Sequence, residues 1–336
     1  MIFDKKKVCV IAEAGINHNG SIKDAIRLIK VAKITKADFI KFQIFKSENV
    51  ATEYAKKSSY QKKNLKDSES QLQMIRKYEL KYSLFKKIKN ECKKNKINFL
   101  CSPFDIESLN YLKSIGEKII KIPSGEITNY PLLREIGKMK KTVILSSGMS
   151  NLIEIDNAIK VLTKFGTKKK NISVLHCITS YPAPFNQLGL NAIRQIKDKF
   201  RVNVGFSDHS QGTEASIAAV ALGAKIIEKH LTLSRKLNGP DHKSSLGPTE
   251  FTAMVSAIRN IEKAIKKENK SIKRCELENL EIARKSIVAK KNIMRGEIFS
   301  DKNLTTKRPA LGLNPMKWTK VIGKKAKKNY LKNDFI

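Results

Sequence analysis

Glu228 and His230 take alternate positions in KIIEKHLTL (225–233), a stretch whose other residues include Ile226, Ile227, Leu231 and Leu233. Side chains alternate across a strand, so the carboxylate and the imidazole would share one face. Burying them side by side costs several kcal/mol unless a charge or hydrogen bonds offset it. The same spacing recurs at Ser207 and His209 in RVNVGFSDH (201–209) and at Lys41 and Gln43 in DFIKFQIF (38–45). Two imidazoles from neighbouring strand ends, His209 and His230, can converge on one divalent metal, with Glu13 nearby and open positions for substrate or water. On this reading the cation offsets the burial of Glu228 and His230, and Glu228 helps to orient a ligand. Lys41 and Lys121, among Ser102, Ser124, Ser146 and Ser207, form a cradle for a small polyanion carrying phosphate and carboxylate. His176 falls on the other face of its strand and reads as structural.

Residues so placed need a scaffold that gathers strand ends. Apolar runs at 8–16, 38–45, 97–104, 118–125, 141–148, 172–180, 201–209 and 225–233 read as strands, each followed by a helix-period segment. Eight such units in series predict an α/β fold, a (β/α)8 TIM barrel, with chemistry at the C-terminal ends of its strands. No Gly-x-Gly-x-x-Gly follows the first strand, which argues against a dinucleotide-binding sheet. The last turns are polar at almost every strand: Glu13 and Asn17, Lys41 and Gln43, Ser102, Lys121 with Ser124 and Glu126, Ser146 and Ser147, Thr179 and Tyr181, Ser207 and His209, Glu228 and His230. A barrel interior is ordinarily filled by Val, Ile and Leu, so this ring of polar ends predicts an active site. The long connection after the second strand, beginning KSENVATEYAKK at Lys46, predicts a partly helical substrate lid.

The 336 residues suit one large domain and a small one: a barrel over 1–268, a polar linker over 269–284 and a β-rich module over 285–336. In the last segment KNIMRGEIFS (291–300) and KNYLKNDFI (328–336) echo each other, an apolar pair preceding a turn that holds Gly296 or Asn333. Both residue types tolerate positive φ, which predicts paired hairpins.

The formal net charge is +36, but Lys outnumbers Arg about five to one and is spread over nearly every segment, while aromatics make up 7%. A nucleic-acid binder would show Arg-rich clusters interleaved with aromatics, so the charge reads as a solvated surface with a general attraction for anionic metabolites. Five cysteines form no Cys-x-x-Cys pair, no apolar run approaches a membrane span and no signal peptide is evident, which together predict a cytoplasmic protein.

The stretches AEAGINHNG, KFQIF, TEYAKK with ESQLQM, KIPSGEITNYPLL, ILSSGMS, LHCITSYPAP, VGFSDHS, EKHLT, GPDHKSSL and TTKRPALGLNPM run collinearly through the chain. Together they resemble the sialic acid synthase family, which comprises N-acetylneuraminate, legionaminate and pseudaminate synthases. The family joins phosphoenolpyruvate to an N-acylated mannosamine-type sugar and ends in an antifreeze-like (SAF) domain. The resemblance implies Mn2+ or Mg2+ on His209 and His230, polarising the open-chain aldehyde. Carbon 3 of phosphoenolpyruvate attacks that aldehyde, water held by the ion adds at carbon 2 with Glu13 as base, and phosphate leaves by C–O cleavage. It further implies that Lys41, Ser124, Ser146 and Ser207 face the phosphate, and that Lys121, Ser102 and Thr179 face the carboxylate. Gln43, Glu126, Tyr181 and Asp241 would hold the sugar. Arg308 would reach the N-acyl group across a domain-swapped homodimer.

The chain departs from the family pattern at Ala310, where Gly is usual, at Gly247, where Glu is common, and at Thr179, where some members carry Asn. The product expected from the motifs is N-acetylneuraminate. Legionaminate is the alternative, with pseudaminate disfavoured by the GPDHKSS stretch. Two further readings are a barrel that binds anions or nucleic acid without catalysis, and a phosphoenolpyruvate-using synthase of another product. Intact Glu13, Lys41, Lys121, His209 and His230 argue against the first, and the SAF-like tail argues against the second.

Overall fold

The computed structural model describes residues 7–265 and 269–336, which form two compact units, Met1–Lys266 and Lys267–Ile336. The first six residues, part of the stretch read for a signal peptide, lie outside the described residues, as does the expected boundary at 268.

The larger unit carries eight parallel strands, β1 (Cys9–Gly15), β2 (Phe39–Ile44), β3 (Asn98–Pro103), β4 (Ile119–Ile122), β5 (Thr142–Ser146), β6 (Ile172–Cys177), β7 (Asn203–Asp208) and β8 (Ile226–His230). All eight coincide with the expected runs. The ladder runs β3-β2-β1-β8-β7-β6-β5-β4, and β3 and β4 lie side by side without a registered ladder, so the barrel is nearly closed rather than fully closed.

Among the described residues eleven α-helices accompany these strands: α1 (Ile22–Ile34), α2 (Ser47–Val50), α3 (Ser59–Leu65), α4 (Gln71–Tyr78), α5 (Tyr82–Lys94), α6 (Ile106–Ser114), α7 (Tyr130–Met139), α8 (Leu152–Lys164), α9 (Ala192–Phe200), α10 (Glu214–Ala221) and α11 (Pro248–Ala264). Local sequence starts several of them. Ser21 accepts from the Asp24 amide, Asp105 accepts from the Ser108 amide, and Asn151 with Glu154 forms a capping box.

Strand parity then sorts the side chains. One set, including Val10, Ala12, Ile40, Phe42, Val143, Val174 and Ile227, packs outward under the helices. The opposite set, Cys9, Ile11, Phe39, Leu100, Ile119, Ile144, Leu175 and Ile226, forms a separate apolar plug inside the barrel. Gly205 belongs to this crowded layer, for a Cβ there would lie 2.4 Å from the Ile226 carbonyl oxygen and 2.5 Å from Leu175 Cδ2. Two residues further along, the same inward parity delivers Glu13, Lys41, Ser102, Lys121, Ser146, Cys177, Ser207 and Glu228. The apolar plug is therefore the floor on which a polar layer rests.

In the smaller unit β9 (Ser286–Ala289) pairs antiparallel with β10 (Leu304–Lys307), and a core of Ile287, Ala289, Ile293, Phe299, Leu304, Val321 and Ala326 holds it together. The expected internal echo is present. Gly296 and Asn333 both have positive φ, at 92° and 78°, and Ile293 bridges Tyr330 across the two repeats. The stretch read as a plain linker holds a helix, α12 (Leu277–Ala283), because LENLEIA consists largely of good helix formers.

Candidate active site

The polar layer converges on a cavity of about 720 Å³ at the C-terminal ends of the strands. Its walls include Glu13, Lys41, Gln43, Lys121, Ser124, Ser146, Thr179, Tyr181, Ser207, His209, Glu228, His230 and Asp241. On one side the charges are paired. Lys41 Nζ lies 2.8 Å from Glu13 Oε2 and 3.8 Å from Glu228 Oε2, and it donates to Ser102 Oγ at 3.2 Å. Lys121 Nζ lies 3.7 Å from Glu228 Oε1 and donates to Ser146 Oγ at 2.6 Å, while Ser207 Oγ donates to Glu228 Oε1 at 2.9 Å.

Glu228 is thus balanced by two lysines and a serine. Opposite charges from β2 and β4 therefore meet its burial within the protein. Burial opposes its charge, but Lys121 and Lys41 outweigh burial and keep its pKa below the ordinary glutamate value. The same competition, won by Glu13 and Glu228, holds Lys41 above the usual lysine range. Lys121 is pulled down by burial and by its neighbour Lys41, and Glu13 is pushed up by burial.

The other side is incompletely bonded. His230 Nδ1 and Thr179 Oγ1 are buried with no hydrogen-bond partner. The rings of His209 and His230 stand 5.5 Å apart between centroids, and Tyr181 packs on His209 at 4.1 Å. Nδ1 of His209 lies 2.7 Å from the Ile178 carbonyl, which can only accept, so that nitrogen carries a proton and directs Nε2 elsewhere. Burial disfavours a charge on His209, yet the Cys177 sulfur 3.6 Å from Nδ1 and the Ile178 carbonyl prevail and raise its pKa. His230 is kept neutral by burial and by the charges of His209 and Lys41, far below its ordinary value.

His209 Nε2, left free by the Nδ1 bond to Ile178, and the unpartnered Nδ1 of His230 are lone pairs of the type that bind a divalent ion. The orphaned His230 nitrogen is the donor such an ion would satisfy.

The long connection after β2 is partly helical, as expected. Its helices α2 to α4 pack Met74 and Tyr78 on Ile16 and Phe45. Tyr60 Oη donates to Asp241 Oδ1 at 3.3 Å, its ring lies 4.9 Å from that of Tyr181, and Asn64 Nδ2 donates to the Pro240 carbonyl at 2.7 Å. Burial raises Asp241 to about 6 against the weaker opposing effect of Tyr60.

Ser124 holds the turn after β4. Its Oγ accepts from the Gly148 amide at 3.0 Å, and a Cβ on Gly148 would lie 2.1 Å from Thr179 Oγ1 and 2.8 Å from Ser124 Oγ. Only glycine lets β4, β5 and β6 bring those two hydroxyls so close.

Some expected residues lie elsewhere. Glu126 is absent from the cavity wall, its Oε2 accepting from Asn129 Nδ2 at 2.6 Å at the start of α7. Ser102 is wholly buried at the tip of Lys41 and supports the lysine from behind. Asn17 turns from the cavity to donate to the Leu231 carbonyl and to Ser245 Oγ, and Ser147 donates to the Leu175 carbonyl. His176 is structural as expected, bonded through Nε2 to the Leu188 carbonyl. Arg308, in the smaller unit, is exposed and donates from Nε to the Ala283 carbonyl. Ala310 has no positive φ, so glycine is not required there, and Gly247 serves as the N-cap of α11.

Sequence reasoning missed Cys177 and Tyr60. Strand parity with Thr179 points to Cys177, whereas nothing local points to Tyr60, whose partner Asp241 is 181 positions away.

Residues 28–270 match the NeuB family and residues 284–336 match the SAF domain. The chain is 51% identical over 331 residues to an N,N'-diacetyllegionaminic acid synthase of Campylobacter jejuni, covering 98% of this chain and 99% of the relative. It is 35% identical to a protein of the same name from Legionella pneumophila, covering 95% and 90%. Among solved structures, the N-acetylneuraminic acid synthetase of Leptospira borgpetersenii, in complex with citrate, superposes with a TM-score of 0.71 at 34% identity, covering 82% of this chain and 90% of that one.

Proposed function

We propose that this chain, which belongs to the NeuB family of nonulosonic acid synthases, joins phosphoenolpyruvate to an N,N'-diacetylated mannosamine-type sugar, giving a diacetyllegionaminate-type acid and phosphate. Family membership carries the general chemistry: the protein is an enzyme of phosphoenolpyruvate-dependent nonulosonic acid synthesis. The sugar is the finer point. The N-acetylneuraminate product expected from the motifs gives way to its alternative, because the relative that is 51% identical along nearly all of both chains is a diacetyllegionaminic acid synthase. Phosphoenolpyruvate brings three carbons and no nitrogen, so both acetamido groups of such a product must arrive on the sugar.

The division of the cavity supports a division of labour. Lys41 and Lys121, with Ser124, Ser146 and Ser207, receive phosphoenolpyruvate, whose negative charge takes over the role that Glu228 plays between the lysines. Ser102 steadies Lys41, and Thr179 offers its unpaired hydroxyl to the carboxylate. Gln43, Tyr181 and Asp241 bind the sugar beside them.

A Mn2+ or Mg2+ ion, held by His209 and His230, supplies a Lewis acid for the aldehyde oxygen when bound. Glu13, whose affinity for a proton is raised by burial, takes the proton from the water that adds at carbon 2 of phosphoenolpyruvate. The new C–C bond forms from carbon 3 to the aldehyde, and phosphate departs with the C–O bond. Holding both substrates over one floor provides much of the acceleration.

Arg308 binds the N-acyl group across a homodimer, as the resemblance implies. The five cysteines are unpaired, four of them buried, an arrangement suited to a reducing compartment such as the cytoplasm.

One observation carries this reading: two buried lysines and two buried histidines open onto a single cavity. Phosphate release is to be measured with phosphoenolpyruvate, Mn2+ and a panel of mannosamine derivatives, with products identified by mass. The diacetylated sugar should be used at least tenfold more efficiently than N-acetylmannosamine. A reversed preference would return the assignment to N-acetylneuraminate, and no release with any sugar would defeat the reading.

A further inference from the structure

The inward faces of β7 and β8 carry Ser207, His209, Glu228 and His230, and the intervening residues, Asp208 and Lys229, point the other way. They are register partners, and both side chains are 0% exposed. Lys229 Nζ lies 2.9 Å from Asp208 Oδ2 and donates to the Ser210 carbonyl at 2.6 Å. Asp208 Oδ1 accepts from the Ser210 amide at 2.8 Å and from its hydroxyl at 2.6 Å, and Oδ2 accepts from Ser216 Oγ at 2.7 Å. The amide, hydroxyl and carbonyl of Ser210 are therefore all tied to the pair. His209 lies between the two clamped residues, its carbonyl accepting from the Ala183 amide at 2.9 Å and its ring held by Ile178.

Stability alone explains this arrangement poorly. A buried ion pair can often be exchanged for apolar residues of similar volume without loss. What apolar residues could not provide is a set of directed hydrogen bonds on the backbone flanking one imidazole and adjoining the other.

We propose that Asp208 and Lys229 form a positioning device for the histidine pair, fixing the ends of β7 and β8 so that both rings address one ion. The proposal deepens the metal-centre reading, on which its affinity measurement rests. Its second measurement, the tautomer of His209, needs no metal.

The test uses the full chain labelled with 15N-histidine, in which five imidazoles give resolvable signals. Removing one partner would strand a buried charge, so both are replaced together. D208L/K229M abolishes the directed bonds, and D208N/K229Q restores neutral donors and acceptors. In D208L/K229M, Mn2+ should bind at least about tenfold more weakly, the range seen when groups supporting metal ligands are lost. His209 should lose its single Nδ1-protonated tautomer, kcat should fall and the phosphoenolpyruvate KM should stay within about twofold. D208N/K229Q should recover most of the affinity and the single tautomer.

If D208L/K229M does not fold, S210A, which deletes one hydroxyl, should show the same changes at about threefold. Folded variants with wild-type tautomer and wild-type Mn2+ affinity would overturn the positioning role. Failure of the wild-type chain to bind Mn2+ would defeat the metal reading instead, leaving the tautomer shift to decide the positioning claim.

Discussion

The two sides of the barrel mouth solve the burial of polar groups in opposite ways. Around β1, β2 and β4 the charges of Glu13, Lys41, Lys121 and Glu228 neutralise one another within the protein. Around the inward ends of β6 to β8, His230 Nδ1 and Thr179 Oγ1 lack any partner. On the first side the charges are paired before substrate arrives, although Glu13 Oε2 and Glu228 Oε2 accept no hydrogen bond, and an internal counter-charge is exchanged for an external anion. The second is incomplete and finds its partners only in ligands. A mutation on the first side should therefore harm both fold and activity, whereas one on the second should harm activity with little effect on the fold.

The largest effect is expected on the charged side. Lys41→Met leaves Glu13 and Glu228 short of a counter-charge and should lower unfolding free energy by about 3–5 kcal/mol, besides lowering kcat at least about a thousandfold. The double variant E13Q/K41M should regain much of the stability and none of the activity. Urea denaturation beside phosphate release checks both, and a stable single variant would break the contrast.

His209→Ala and His230→Ala should each lower activity about a thousandfold while shifting stability by about 1 kcal/mol or less, because they remove groups facing the cavity. Full activity in chelator-treated variants would remove the metal from the account.

Asp241→Asn should stabilise the protein. Burial lifts the Asp241 pKa from 3.8 to about 6, so between those values the folded state holds a proton that the unfolded state has released. Stability contributed by this residue therefore falls as pH rises through that window, and the full penalty stands above it. Asparagine escapes the penalty, giving a gain of roughly 2 kcal/mol at pH 8 that fades toward pH 4, together with loss of sugar use. Denaturation of both proteins across that range would expose a pH-independent difference, the contrary result.

The smallest effect is expected at Arg308→Ala, which should raise the sugar KM about tenfold and leave the phosphoenolpyruvate KM unchanged. Equal losses for both substrates would count against its role at the N-acyl group.

Much of this division was legible in the sequence, because strand parity is local. KIIEKHLTL and VGFSDHS place their histidines on one face without reference to the rest of the chain, and the apolar residues beneath them mark the barrel floor. Long-range pairing was not legible. The balance between Glu228 and two lysines is set by which strands become neighbours and how deeply each residue sits, not by spacing. Tyr60 lies in a connection without periodicity and acquires its place only when that connection packs against the loop after β8. Glu126 has the right position in the chain for the cavity, but Asn129, one helical turn away, captures its carboxylate. The support behind the histidines was equally hidden, because Asp208 and Lys229 look in sequence like ordinary charged residues at strand ends.

The most direct test of the central claim is the paramagnetic effect of bound Mn2+ on the sugar, measured with a saturated phosphoenolpyruvate analogue that cannot react. The account predicts strong broadening of the proton on the sugar's aldehyde carbon, lost in His209→Ala and His230→Ala. Equal broadening in the wild type and both variants, or none in any of them, would contradict it.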